Sequence, residues 1–348
     1  NYWTDRSMHS RHGHSSTLNL ALQGGGAHGA FTWGVLDALL EDGQFDFEGI
    51  SGTSAGAMNA LCLGHGLMTG GRDGARETLA RFWTGVAGSS PFATNGEASP
   101  KMAQALKLML QWTDYLSPEQ LNPFDLNPLR DILGEQFDFE RLRRDCPVKL
   151  FIAATHANSG QVRLFHNHEL SVDALLASAC LPTIHRTIVI DGEPYWDGGY
   201  SANPAVFPLA YQCHSPDILL VLLTPLRYAA TPASAADIRH RLLELSFNST
   251  FLREMRMFAH LREQVGNRWL PKWLATGRLE RRIDQLRFHA ITADTFLGDL
   301  PSDSKLTVNL PFFEHLRDNG REHARQWLAL HRADIGRRSS VDLDKVFY

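Results

Sequence analysis

The 348-residue chain reads as an α/β fold, and three features of the sequence say so. Over the first 66 residues, apolar runs of strand length alternate with stretches of helical periodicity. The junctions between them are glycine clusters, the residue type that lets a strand turn sharply into a helix. Later runs such as Ile218–Thr224 have the length of a buried strand, as in a sheet with helices on its faces.

In order, Leu18–Gln23 is the first strand, stopped by Gly24-Gly25-Gly26. Ala27–Leu40 is a helix, because Phe31, Val35, Leu36, Leu39 and Leu40 share one face, and Asp42-Gly43 ends it. Phe45–Ile50 is the second strand. Ala55–Gly66 is small and apolar, as a helix packed tightly under a sheet should be. Residues 85–130 break the pattern with Gly, Ser, Pro and Asn clusters around one helical piece, Lys101–Trp112. Further strands are expected at Val148–Thr155, Gln161–His166, Thr187–Ile190, Tyr195–Trp196 and Ile218–Thr224, with a helix at Leu170–Ala179. Residues 231–348 are mainly helical, with one candidate strand at Phe288–Thr292. There Asp318-Asn319-Gly320 reads as the start of a last helix whose Ala324, Trp327, Leu328 and His331 share a face, and Gly336 reads as its stop. The expected organisation is a flexible tail at 1–16, an α/β domain at 17–230 and a mainly helical C-terminal addition at 231–348 packed on it.

Composition narrows the function. Hydrophobic residues make up 43%, enough for a large core. Lys and Arg total 34 against 38 Asp and Glu, a net charge of −4, which argues against a nucleic-acid-coating protein. No apolar run reaches the roughly 18 residues of a membrane span. The tail is polar and lacks the apolar core of a secretory signal. Its His9, His12 and His14 read as part of a flexible leader rather than as metal ligands. Cys62, Cys146, Cys180 and Cys213 are far apart and form no CxxC pair, so a reducing, cytoplasmic compartment is expected and neither zinc site nor disulfide framework is.

Three motifs carry chemistry. Gly52-Thr53-Ser54-Ala55-Gly56 stands between a strand and a helix, the setting a nucleophile elbow requires. A serine on such a turn projects its hydroxyl, Gly52 and Gly56 permit the tight approach, and the helix N-terminus aims its N–H groups at the same point. Gly24-Gly25-Gly26-Ala27-His28-Gly29 has two uses. Consecutive glycines can turn backbone N–H groups toward a developing oxyanion, where one donor is worth on the order of 10²–10³ in rate. Gly24, Gly26 and Gly29 also match the GxGxxG of a nucleotide-binding module. That reading wants an acid at the end of the second strand, and Asp42, Asp46 and Glu48 do not sit there. Asp197-Gly198-Gly199 follows an expected strand and offers a carboxylate base.

These three blocks, in this order and spacing, resemble the patatin-like phospholipases, acyl hydrolases of lipid esters. The resemblance spans about residues 17–226 and includes Ala177–Pro182 ahead of the Asp block. It implies a three-layer α/β/α fold without cofactor, Ser54 as nucleophile, Asp197 as base, and Gly24, Gly25 and Gly26 as the oxyanion hole. One position departs. The family commonly has Lys or Arg where His28 stands, so a fixed charge becomes one titrating near pH 6.5, and His28 is a candidate modulator.

The expected function is therefore a serine acyl hydrolase of lipid or long-chain esters, of phospholipase A or lysophospholipase type. A depolymerase or thioesterase using the same dyad is the alternative within enzymes. A Ser–His–Asp triad would need one of the histidines after Asp197, namely His214, His240, His260 or His289. His185 reads as structural or as a pocket rim. Lys101–Trp112 and Phe247–Leu274 each read as either a packed helix or an interfacial one making peripheral membrane contact.

Overall fold

The computed structural model describes residues 16–89, 117–121, 125, 127–228, 230–266, 277–298, 300 and 302–347. The N-terminal tail to residue 15, the Lys101–Trp112 helix and the end of the Phe247–Leu274 stretch lie outside them. The strands are β1 (Ser16–Leu22), β2 (Phe45–Thr53), β3 (Lys149–His156), β4 (Val162–His166), β5 (Ile188–Ile190), β6 (Glu193–Asp197), β7 (Asp217–Leu222) and β8 (Arg287–Thr292). The helices are α1 (Gly29–Asp42), α2 (Ala55–Gly88), α3 (Pro118–Leu121), α4 (Pro128–Gln136), α5 (Phe139–Asp145) and α6 (Val172–Ser178). They continue as α7 (Phe207–Gln212), α8 (Ala235–Gly266), α9 (Arg278–Gln285), α10 (Asp294–Gly298), α11 (Leu310–His331) and α12 (Leu343–Phe347).

The strands form one sheet in the order β5-β6-β3-β2-β1-β7-β8, with β4 also paired to β3. The run β3-β2-β1-β7-β8 is parallel, whereas β4 and β6 are antiparallel to β3. Side chains alternate across the sheet, as strand periodicity requires. Leu18, Leu20, Leu22, Leu219 and Val221 join a core made with α1, α2, α6 and α11. Ala21, Ile218, Leu220 and Leu222 join a second core made with α7, α8 and α12. The result is a three-layer α/β/α arrangement. Among the described residues no helix is long and apolar enough to cross a membrane.

The C-terminal region is built into this frame. It supplies β8, paired in parallel to β7, and the helix α11 that packs along α1. That contact corrects one sequence expectation. Asp318-Asn319-Gly320 does not start the last helix but lies inside α11, which is capped instead by the Asn309 side chain accepting the Phe312 N–H at 2.8 Å. Gly320 is there for space: a Cβ would lie 2.0 Å from the Phe31 carbonyl oxygen, and on the facing helix a Cβ at Gly34 would lie 1.9 Å from that of Arg317. The two helices meet backbone to backbone.

One feature of the sheet positions the chemistry. Residues 151–153 of β3 pair with β2 and β4 at once, so those two strands lie on opposite edges of β3. Residues 154 and 155 pair with β4 and β6 at once, so β6 takes the edge that β2 has left. Thr53 ends β2 opposite Ala153, and Asp197 ends β6 opposite Ala154. The carboxyl ends of the two strands therefore meet head to head.

Gly34→Ala should destabilise the protein by ~1–3 kcal/mol through overpacking against α11. Gly134→Ala, at an exposed site in α4 with open space around it, should stabilise by ~0.5–1 kcal/mol through the ordinary helix propensity of alanine. Urea denaturation of both variants checks the contrast, and equal behaviour would count against the close α1–α11 contact.

Candidate active site

Ser54 stands between β2 and α2 with φ 54° and ψ −121°, a conformation that a non-glycine residue adopts only under constraint from its surroundings. The surroundings are tight. A Cβ at Gly52 would lie 2.4 Å from the Gly56 carbonyl oxygen, and one at Gly56 would lie 2.2 Å from that of Leu22. Both elbow glycines are thus required by close approach, as the motif suggested. The Ser54 N–H donates to Ser178 Oγ at 3.0 Å, so the end of α6 steadies the turn.

Asp197 lies beside it, 2% exposed, at the end of β6. Its backbone is held at both polar groups: its N–H donates to the Cys180 carbonyl at 2.8 Å, and its carbonyl accepts from Thr155 Oγ1 at 2.8 Å. Its carboxyl accepts the Gly199 N–H at 2.7 Å and has the Ser54 side chain as its other polar partner. Burial pushes the carboxyl up to about 7, against the opposing pull of these two donors. A hydroxyl, a desolvated carboxyl and a helix N-terminus thus share one point, and the sequence motifs for Ser54 and Asp197 are brought together.

The glycine loop closes the site from the end of β1. Gly24 lies against the elbow, where a Cβ would be 2.9 Å from Ser54 Cβ. Its N–H, however, donates to Asn203 Oδ1 at 2.8 Å. The expectation that Gly24, Gly25 and Gly26 act together as oxyanion donors is therefore narrowed to the Gly25 and Gly26 N–H groups, for which no protein acceptor is found among the described residues. Gly26 has φ +58°, and a Cβ on it would lie 2.5 Å from the Lys305 carbonyl oxygen, so glycine is needed there on both counts.

His28 corrects another expectation. It is 3% exposed, with Nε2 2.7 Å from Ser304 Oγ, and burial together with the charge of Lys305 pushes it down to about 3. It is a neutral brace between the glycine loop and the C-terminal region, not a group titrating near neutrality. The histidines considered for a triad are engaged elsewhere. His214 pairs with Glu48 and His240 with Glu244, and His289 lies between Asp217, at the far end of β7, and Ser340. His260 is exposed on α8, and His185 is half-buried in the turn after Pro182. Among the described residues no histidine hydrogen-bonds to Ser54 or Asp197. The acids considered for a nucleotide ribose, Asp42, Asp46 and Glu48, lie before or within the first part of β2, whereas its carboxyl end carries Ser54.

Three positions around the site escaped the sequence reading. Asn203 and Gln23 are two of them; the Gln23 side chain accepts from the Leu223 and Thr224 N–H groups at 2.7 and 2.9 Å and donates to the Asn203 carbonyl and to Asn248 Oδ1, both at 3.3 Å. Phe247 is the third. It packs against Tyr200 with ring centroids 4.6 Å apart and planes tilted by 37°, and a Cβ on Gly199 would lie 2.0 Å from its ring. Phe247 and Asn248 bring α8 over the site. The Ala202-Asn203-Pro204 run just after the Asp block was the available local signal for Asn203; Phe247 stood only as the first residue of the Phe247–Leu274 stretch, and nothing local marked Gln23.

A family model for patatin-like phospholipases matches residues 20–210. Among solved structures, VipD from Legionella pneumophila is 17% identical, aligned over 91% of this chain and 67% of that one with a TM-score of 0.39. A comparison with curated proteins finds no match. The matched segment takes in the glycine loop, the serine elbow and the Asp-Gly-Gly turn, on a three-layer sheet of the kind described above, and the chain belongs to the patatin-like phospholipase family, a family of lipid acyl hydrolases.

Proposed function

We propose that this protein cleaves carboxylic esters of lipids, as a phospholipase A or lysophospholipase, with Ser54 as nucleophile and Asp197 as its base. The observation that carries the reading is the pairing of a constrained serine with a desolvated carboxyl at the meeting of β2 and β6. A carboxylate in water is a weak base, with a pKa near 3.9. One raised to about 7 holds a proton well enough to take it from serine and return it to a leaving group.

In the proposed reaction Ser54 Oγ attacks the ester carbonyl and its proton passes to Asp197. The tetrahedral oxyanion accepts hydrogen bonds from the Gly25 and Gly26 N–H groups, with the α2 N-terminus adding favourable potential. Collapse expels the alcohol, which takes the proton from Asp197 and leaves an acyl-enzyme on Ser54. Water then attacks the acyl carbon, gives its proton to Asp197, and the fatty acid leaves as Ser54 regains its hydrogen. Asn203 and Gln23 act as positioning residues, because they hold the loop that carries the oxyanion donors. A depolymerase or thioesterase would use the same groups, and a panel of phospholipids, acylglycerols, thioesters and short nitrophenyl esters separates these substrates.

Labelling with a fluorophosphonate should modify Ser54, mapped by peptide mass spectrometry, and Ser54→Ala should take no label. An adduct on another serine would remove the assignment. Because the base must be ionised, kcat/KM should rise with pH and level off above about 7; a flat profile between pH 5 and 8 counts against Asp197. Asp197→Asn should lower kcat by about 10²–10⁴-fold. The same carboxyl, raised from 3.8 to about 7, keeps its proton in the folded state after the unfolded chain has lost it, so its contribution to stability falls as pH rises from about 4 to about 7. Asparagine retains the acceptor for the Gly199 N–H and removes that loss, so the inactive variant should melt higher than the parent at pH 8. Asn203→Ala should lower kcat on the order of 10–10²-fold with little change in KM, since it displaces oxyanion donors rather than ground-state contacts.

A further inference from the structure

The first three turns of α8 are built inside out. A surface helix ordinarily turns its apolar stripe to the core and its charges to water. Here His240, Arg241 and Glu244 face inward, lining a cavity of about 320 Å³ with His28, Tyr228 and Lys305. Glu244 gathers these walls: it accepts from Tyr228 Oη at 2.7 Å, and His240 and Lys305 lie at 3.2 and 3.0 Å. Burial alone would raise its carboxyl, but these partners hold it well below the usual carboxylate range. On the outer face stand Ile238, Leu242, Leu243 and Leu245, between 42% and 60% exposed. From Phe247 onward the helix returns to the ordinary arrangement, with Phe251, Met255 and Phe258 buried.

Two more exposed aliphatic side chains follow a turn that is tied to α8. The Lys305–Glu244 ion pair ties the 302–306 turn to this part of the helix, and Leu306 and Val308, next along the chain, are also exposed. Four aliphatic side chains within three helical turns, with two more alongside, are more than the scattered apolar residues of a usual surface. Two observations say what covers them. The very next turn of α8 seats Phe247 on Gly199 and Tyr200 beside Asp197, so the helix that carries the patch also covers the site. Arg239 stands exposed among these leucines, while the two acids of this part of the helix, Asp237 and Glu244, line the cavity, and Asp237 is bonded to Ser234. An apolar face with a basic residue and no acid complements an anionic lipid surface.

We propose that the outer face of residues 238–245, with Leu306 and Val308, is the surface by which the protein docks on an anionic lipid aggregate. Docking there presents the α8 cover of the site to the lipid from which the ester is drawn. The proposal takes its purpose from the lipid-hydrolase reading, and its test is independent of turnover.

The test uses the Ser54→Ala protein and co-sedimentation with vesicles of phosphatidylcholine alone or mixed with phosphatidylglycerol. Binding should be tighter to the mixed vesicles. Leu242→Ser with Leu245→Ser should weaken binding to both by about tenfold or more, the loss expected when two partly inserted leucines are removed. Arg239→Glu should weaken binding to the mixed vesicles only. No binding by the parent, or unchanged affinity in the double variant, overturns the proposal. So does a dimer in light scattering that the double variant splits, because a second copy would then be the occupant. With Ser54 intact, the double variant should lose hydrolysis of vesicle lipid and keep that of a water-soluble nitrophenyl butyrate within about twofold. Parallel losses on both substrates overturn the docking role. Hydrolysis of neither substrate by the parent, with vesicle binding retained, removes the hydrolase reading and leaves the docking surface standing.

Discussion

Strand β3 has two partners on one edge: β2, which runs beside it as far as Ala153, and β6, which arrives from the opposite direction and stops at Ala154. Everything at the site depends on that junction. It sets the end of a serine-bearing strand against the end of a carboxyl-bearing one, and it does so inside the sheet, where water is excluded. A carboxylate there lacks the solvation it has at the surface, and among the described residues no cation replaces it. The Gly199 N–H offsets only part of the cost, and the remainder appears as a proton affinity raised to about 7. The same desolvation that costs stability would suit the group to the part of base in the proposed reaction. Gly198 shows how closely the strands abut, since a Cβ there would lie 2.2 Å from the Ala153 carbonyl oxygen and 3.0 Å from Thr53 Cγ2.

Around the junction the polar groups form a connected set. Gln23 takes the two N–H groups that follow β7, and its amide nitrogen reaches both the Asn203 loop and α8. Asn203 in turn holds the Gly24 N–H. Buried amides of this kind must be satisfied, and satisfying them ties the glycine loop to three separate parts of the chain. Ser304 and Lys305 add a fourth, through His28 and Gly26. The C-terminal region is thus part of the site's framework: it completes the sheet with β8, covers one face with α8 and braces the loop that points at Ser54.

The carboxyl groups of the protein show how environment alone separates their roles. Asp217 and Glu48 are also removed from water, yet both are held down to about 2. Each has burial working against ionisation, overcome for Asp217 by His289, Arg287 and the Gly336 N–H, and for Glu48 by the Ser215 and His214 N–H groups, the His214 ring and Lys149. They are structural anions at the amino-terminal side of the sheet. Asp197 at the carboxyl side has no basic partner among the described residues. Glu254, which accepts the Val206 and Phe207 N–H groups from its place on α8, is likewise raised to about 7 by burial, but its hydrogen-bond partners among the described residues are these backbone N–H groups rather than a serine.

The order strand, glycine turn, helix, strand, serine elbow, helix was legible in the residues because each step rests on a local constraint: apolar spacing, a glycine where only glycine fits, a helix start. Gly52, Ser54, Gly56 and the glycine loop were found for that reason, and a match of motif order extended the reading to Asp197. What distant parts of the chain do to one another was not legible. Gly320 looked like a helix boundary because a glycine at a start and a glycine admitting a neighbouring backbone are the same letter. His28 looked titratable because its burial and its neighbour Lys305 are contributed by residues some 280 positions away. Asn203, Gln23 and Phe247 gained their places from contacts that cross from one layer or loop to another, and no periodicity records those. The chain's own residues determined which groups could do the chemistry; only the tertiary structure decided which of them meet, how dry their meeting place is, and therefore which hold a proton near neutral pH.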